Sequence, residues 1–231
     1  MIDVYSWPTP NGHKVHIMLE ETGLPYTVHA VDIGKGDQFK PEFLAISPNN
    51  KIPAIVDPHG PDGAPISLFE SGAILVYLAA KTGMFLPEDH RGRWEALQWL
   101  MFQMGGVGPM LGQAHHFNVY APERIPYAMD RYSKEANRLY GVLDRRLGAS
   151  EFVGGDAYSV ADIAVMPWLR SSRNQNVDID AYPHVKRWFD AVNARPAVQR
   201  GLQVLSHIKR PPPDDPTVQA NYFGAAQYQR R

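Results

Sequence analysis

An α/β unit followed by an all-helical unit is the fold class that this 231-residue sequence predicts. Three observations carry the prediction. Residues 1–86 alternate β-branched runs with helix-period runs, from about residue 90 onward only helix-period segments occur, and clusters of turn residues stand between the segments.

In the first unit "IDVYSW" reads as a strand, and "GHKVHIMLEETG" follows with Val15, Met18 and Leu19 at helical spacing. Gly23 is placed to end that helix and Pro25 reinforces the stop. "YTVHAVDI" is a second strand, and "KPEFLAIS" is a short helix closed by Pro48. "PAIVD" and "PISLFE" flank the turn-rich "PHGPDGA" and predict a hairpin. "SGAILVYLAAKTG" is apolar nearly all round, which predicts a buried helix with Ser71 as its N-cap. The order βαβα–ββα matches a thioredoxin-like domain over 1–86. A right-handed crossover makes its first two strands parallel, with the hairpin antiparallel beside them.

The second unit, 90–208, contains the helix-period segments "RWEALQWLMFQMGG", "AMDRYSKEANRLYGVLDRRLG", "SVADIAVMPWLRSS" and "YPHVKRWFDAVNARP". "YSVADI" is a helix start: Ser159 caps, Asp162 sits at the third helical position, and Tyr158 with Ile163 forms a hydrophobic staple. Residues 209–231 form a proline-rich tail whose proline run predicts an extended arm. Its Tyr222, Phe223 and Tyr228 suggest that it lies on a surface, with a disordered tail as the alternative.

The net charge of -1 offers no basic face for nucleic acid or an anionic membrane. The first ten residues lack the basic and apolar regions of a signal peptide, and no apolar run approaches a membrane span of about 18 residues. A cytoplasmic protein is the expectation. The chain has no cysteine, so it has neither a disulfide framework nor a thiol nucleophile of its own.

Three stretches of the first unit carry polar chemistry. Thr9 and Asn11 stand in "PTPNGHK" just before a helix, Lys51, Ile52 and Pro53 in "NNKIPAIVD" before a strand, and Glu70 and Ser71 in "LFESGAI" at the mouth of the buried helix. A helix N-terminus attracts anions, so Ser71 can both cap and hold a carboxylate, while Glu70 accepts from an ammonium. A cis Ile52–Pro53 bond leaves Ile52 backbone groups able to pair with an extended peptide, and Lys51 offers a cation to a far carboxylate. The set suits a short, zwitterionic, acidic peptide. Each stretch alone also reads as ordinary turn, cap or solvated-lysine chemistry.

Together "PTPNGHK", "DIGKGDQF", "PEFLAISPNNKIPAIVD", "SLFESGAILVYLA", "QWLMFQMGGVGPMLGQAHHFN" and "YSVADIA" resemble the glutathione transferase superfamily. More narrowly they resemble its bacterial nu class of glutathione-dependent disulfide-bond oxidoreductases, over residues 2 to about 205. The resemblance implies the glutathione transferase fold, a homodimer, and glutathione as co-substrate, as two reduced molecules or one oxidised. It implies that Glu70 and Ser71 hold the γ-glutamyl end and that Ile52, ahead of cis Pro53, pairs with the central backbone. Gln38 and Lys51 are then at the glycyl carboxylate, and Arg131 in "MDRY" reaches a glutathione carboxylate, across the dimer. Thr9 and Asn11 face the sulfur, with Tyr5 as a reserve candidate.

Disulfide exchange needs an attacking thiolate. Without cysteine the guest must bring it, and a helix N-terminus with fixed donors lowers a thiol pKa from about 8.5. Conjugation of the same thiolate to an electrophile is the alternative, with Trp99, Phe102, Met104 and Met110 as the expected acceptor wall and "GGVGP" as a helix break shaping a cavity. A non-catalytic transferase-like module is the non-enzymatic rival. No metal is expected: His115 and His116 are adjacent, about a hundred degrees apart on a helix, and helical metal pairs are spaced by four.

Overall fold

The protein is described here by a computed structural model, over residues 1–209, 212 and 214–229. Strands Ile2–Ser6 (β1), Tyr26–Ala30 (β2), Ala54–Asp57 (β3) and Ile66–Phe69 (β4) form one sheet in the order β2-β1-β3-β4. β1 pairs parallel with β2, from Ile2 opposite Tyr26 to Ser6 opposite Ala30. It pairs antiparallel with β3, and β3 antiparallel with β4, as the hairpin signal predicts. Helices Pro10–Thr22 (α1), Pro41–Leu44 (α2) and Ser71–Thr82 (α3) complete the thioredoxin-like unit. Gly23 and Gly83 end α1 and α3 in the left-handed conformation that glycine adopts without strain.

The helical unit consists of His90–Phe102 (α4), Gly108–His115 (α5), Pro126–Ala149 (α6), Val160–Leu169 (α7), Pro183–Asn193 (α8) and Pro196–Gln203 (α9). "GGVGP" does interrupt the helical pattern: Gln103–Val107 is a π-helical turn joining α4 to α5. Ser159 and Asp162 form the expected capping box, and the Asp162 carboxylate also accepts from Val153 N at 2.7 Å and Trp188 Nε1 at 2.8 Å. Burial pushes its pKa up, against the four donors that favour the charged form.

One apolar core runs through both units. Val4, Ile55, Met18 and Leu75 of the first unit are continuous with Leu100, Tyr140, Ile163 and Trp188 of the second. α1 is clamped between α3, α7 and α9. A Cβ on Gly201 of α9 would meet Ile17 Cα at 2.7 Å, so only glycine permits this approach. Arg195 and Arg200 then reach back to Glu21 and Glu20 at 2.6 and 2.7 Å. α9 has no counterpart among the helix-period segments read from the sequence.

The tail differs from the extended or disordered arm expected of it. Pro211 and Pro213 of the proline run lie outside the described residues. Beyond them Pro216–Phe223 is a helix (α10), because Asp215 caps it by accepting from Thr217 N and Val218 N, and Pro216 is preset for a first turn. The cap outweighs the neighbouring prolines.

Candidate active site

The loop after β1 is shaped by Gly12, where a Cβ would meet Trp7 O at 2.2 Å. Thr9 caps α1, its Oγ1 accepting from Gly12 N at 3.3 Å. Asn11, in the first turn, accepts at Oδ1 from Trp168 Nε1 of α7 at 3.0 Å. That bond fixes the amide: its carbonyl is occupied and its NH2 is the free donor. Trp168 is held in turn by a slot in α5, where Gly112 leaves room for its ring at 3.3 Å from the missing Cβ. Sequence reasoning did not find Trp168; the Gly108 and Gly112 pair one helical turn apart was the available signal.

A cavity of about 400 Å³ opens beside this turn, between the two units. Thr9, Asn11, Gln38, Lys51 and Ile52 all line it, so five of the expected residues meet there. The Ile52–Pro53 peptide bond is cis, and Pro53 is buried behind the wall. Gln38 is 2 % exposed; its Nε2 donates to Ile33 O at 3.2 Å while its Oε1 is buried without a partner. Asn50 Oδ1 is likewise unpartnered on the same wall. Two stranded acceptors beside the Lys51 cation fit a guest that carries N–H donors together with an anionic end. Lys51 is exposed as a residue, and partial desolvation of its amine at the cavity wall pulls its pKa down from its ordinary value.

The remaining wall of this cavity is the tail. Tyr222, Phe223 and Gln227 line it, Gln227 Oε1 accepts from Lys51 Nζ at 2.6 Å, and Asn221 O accepts from Gln38 Nε2 at 3.3 Å. Asn221 Nδ2 donates to Gly34 O at 2.6 Å and anchors the segment. The tail therefore engages one donor of each side chain at the Gln38–Lys51 end, while Gln38 Oε1 stays without a partner.

Glu70 and Ser71 sit at the start of α3. The cap is Glu70, not Ser71: Glu70 has φ 69° and Ser71 is the first helical residue. The backbone turns one residue earlier than the cap preference of serine suggests. Glu70 is exposed, and Ser71 is buried, its Oγ accepting from Lys14 Nζ at 3.2 Å.

A second cavity of about 590 Å³ adjoins the first and shares Thr9, Pro10, Ile33, Trp168, Tyr222 and Phe223 with it. Trp7, His13, His116, Tyr120 and Arg170 complete much of its wall. Phe223 packs its ring on His116 at 4.5 Å and near Tyr120 at 5.6 Å. Desolvation holds the His116 pKa below its ordinary value. This is not the acceptor wall expected from the sequence. Trp99, Phe102 and Met104 pack on the core, because the apolar face of α4 and its π-turn meets α7. Met110 instead lines a separate cavity of about 510 Å³ with Arg131, Tyr127 and Arg138. Within one chain Arg131 thus stands apart from the Thr9–Lys51 cavity. Tyr5 stacks on His29 at 4.7 Å and packs beside Val31 and Phe43, behind the sheet rather than in either cavity.

The architecture and this cleft match known proteins. Residues 9–81 match the model of the glutathione S-transferase N-terminal domain and residues 110–196 that of its C-terminal domain. The chain belongs to the glutathione S-transferase family. It is 57% identical over 204 residues to disulfide-bond oxidoreductase YfcG of Escherichia coli, covering 87% of this chain and 94% of that one. To disulfide-bond oxidoreductase YghU of the same organism this family member is 46% identical over 215 residues, covering 87% and 73%. Among solved structures, a glutathione transferase of Pseudomonas fluorescens with two glutathione bound matches at 53% identity and TM-score 0.83, over 87% of this chain and 92% of that one. A Pseudomonas putida glutathione transferase with one glutathione disulfide bound per subunit matches at 50% identity and TM-score 0.85, over 88% and 91%. The tail residues of this transferase-family chain that line the two cavities, Val218, Tyr222, Phe223 and Gln227, lie beyond the stretches that the two family models match.

Proposed function

We propose that the protein is a glutathione-dependent disulfide-bond reductase in which bound glutathione supplies the attacking sulfur. The observation that carries this reading is the cavity in which the α1 N-terminus, with Thr9 and the free Asn11 NH2, shares one wall with Gln38, Lys51 and Ile52 in a chain without cysteine. The names of YfcG and YghU and the ligands of the Pseudomonas structures support it.

In this reading Glu70 takes the γ-glutamyl ammonium and Ser71 its carboxylate. Ile52, before Pro53, pairs with the central peptide, and Gln38 and Lys51 take the glycyl end by releasing Asn221 and Gln227. Thr9 and Asn11 donate to the sulfur and favour its thiolate. The thiolate attacks one sulfur of the substrate disulfide: a new S–S bond forms, the old one breaks, and the leaving sulfur takes a proton from solvent. A second glutathione thiolate attacks the resulting mixed disulfide and releases oxidised glutathione. Two glutathiones supply the two electrons that the disulfide gains.

Three finer parts belong to the same reading. The nu class is supported by the long strings shared with it. A homodimer is supported by Trp94 and Met101, seven residues apart on one face of α4, and by Tyr127, at 67%, 56% and 74% exposure; it is the arrangement in which Arg131 reaches a partner's glutathione. A cytoplasmic setting suits chemistry that consumes a reduced thiol, and among the described residues no helix is long and apolar enough to cross a membrane.

Purified protein, freed of small molecules, is expected to reduce a small model disulfide only when glutathione is added, with most of the rate lost in a Thr9→Ala/Asn11→Ala variant. Reduction sustained by an unrelated reductant defeats the reading, as does full activity in that variant. The aromatic lining of the second cavity favours conjugation as a second reading, and a chloroaromatic electrophile assayed beside the disulfide ranks the two. Failure of calorimetry to detect glutathione binding leaves the non-catalytic module.

A further inference from the structure

Lys14 lies on α1 at 1% exposure, directly behind the start of α3. Its Nζ donates to Ser71 Oγ at 3.2 Å, to Gln103 Oε1 at 2.7 Å and to Met104 Sδ at 3.5 Å. All three partners are uncharged. Gln103 and Met104 reach it from the π-helical turn, so the contact spans both units, and Gln103 Nε2 is left buried without a partner while its carbonyl serves the amine. Burying an amine among neutral groups is unfavourable compared with an apolar side chain of the same length. The arrangement becomes favourable when an anion arrives on the other side of Ser71.

We propose that Lys14 is a positioning residue for the amino-acid carboxylate of the substrate, acting through Ser71, and that it takes up a proton when that carboxylate binds. The inference rests on the glutathione reading of the α3 N-terminus. Its logic is that of a shared hydroxyl. A charged ammonium can only donate, so it fills a lone pair of Ser71 Oγ and leaves the serine hydrogen to point at the carboxylate. A neutral amine can accept that hydrogen and turn it away. Among the described residues the other hydrogen-bond partner of Ser71 Oγ is Met104 Sδ at 3.7 Å, a weak acceptor that holds the hydrogen poorly.

The electrostatics agree. Burial brings the Lys14 pKa down to about 7, and Glu70, the start of α3, opposes this by favouring the charged form. Charged groups on the other elements packed against α1 are engaged elsewhere: Asp162 of α7 with Ser159 and Trp188, Arg200 of α9 with Glu20. Along α1 itself, His16 is held neutral by burial, its pKa lowered to about 3, with His13 beside it. A carboxylate bound at Ser71 raises the Lys14 pKa in the complex. Its contribution to affinity is therefore fully present below about pH 7 and is lost as pH rises through the higher value of the complex.

Calorimetry of S-methylglutathione binding to the full chain, in buffers of different ionisation enthalpy between pH 6.5 and 8.5, tests this without a titrating thiol. The wild-type protein is expected to take up close to one proton at the alkaline end, with Kd rising by up to about tenfold per pH unit. Lys14→Met is expected to lose that uptake, to bind about tenfold more weakly at pH 6.5, and to raise the KM for glutathione while keeping kcat at saturation. Absence of proton uptake by the wild-type protein overturns the inference, and so does an unchanged pH profile in Lys14→Met. Should that variant fail to fold, the proton count is taken in Lys51→Met, which removes the other amine of lowered pKa at the site: retained uptake is expected, and uptake that vanishes with Lys51 overturns the inference. A wild-type protein that does not bind the probe at all removes the glutathione reading and this inference together.

Discussion

Deleting residues 210–231 should tighten the binding of glutathione. The tail engages Lys51 through Gln227 Oε1 at 2.6 Å and Gln38 Nε2 through Asn221 O at 3.3 Å. A ligand carboxylate at this end has to displace both. A net intramolecular hydrogen bond contributes about 0.5–1.5 kcal/mol, and the exposure of Lys51 keeps its charged bond within that range. Relieving two such bonds amounts to about 1–3 kcal/mol, or roughly 5- to 150-fold in Kd. The core should be indifferent to the change, since among the described residues Val218 is the one tail residue in the buried hydrophobics. Thermal unfolding and glutathione calorimetry on the chain ending at Lys209, beside the full chain, measure both quantities. Weaker binding with an unaltered Tm would refute the reasoning, by showing that Tyr222 and Phe223 hold the ligand more than Gln227 and Asn221 compete with it.

Further expectations concern the Thr9–Asn11 turn and the fold. Trp168→Phe keeps the ring in its α5 slot but removes the donor to Asn11 Oδ1; disulfide reduction should fall by about tenfold, roughly the value of one buried hydrogen bond, with little change in Tm. Asp162→Ala strands the donors of Val153, Ser159 and Trp188 inside the core, and urea unfolding should show a loss of about 3–5 kcal/mol. His16 has a folded pKa lowered to about 3, so the unfolded chain binds more protons between that value and about 6.5. Stability contributed by neutral His16 is thus full above about pH 6.5 and declines as pH falls. By pH 4 the loss is on the order of 3 kcal/mol, and comparing the pH dependence of urea midpoints in wild type and His16→Met isolates it.

Local chemistry made most of the first unit legible. Strand β1 is five residues of alternating burial, Gly23 and Gly83 end their helices, and Ser159 with Asp162 marks the start of α7 at Val160. The cavity residues Thr9, Asn11, Gln38, Lys51 and Ile52 were nameable because the motifs that hold them are short and contiguous. Trp168 was not, since its role depends on a glycine slot in α5 and an amide 157 residues away. The acceptor wall was misplaced for the same reason: a helical period says that Trp99 and Phe102 face something apolar, and only packing decides whether that is core or cleft.

By itself the sequence determined the strands and helices of the first unit and most helices of the second, but not α9, α10 or the exact cap of α3, and it determined that any sulfur chemistry must use a guest's thiol. Hydrogen-bond caps, turn residues and the absence of cysteine act over a few residues, so they are written in the order of the chain. The tertiary structure alone decided that α10 closes the cleft, that Arg131 lies outside it, and that Lys14 stands behind Ser71. Those outcomes depend on distances between residues far apart in the chain, which are fixed by how the two units share one core.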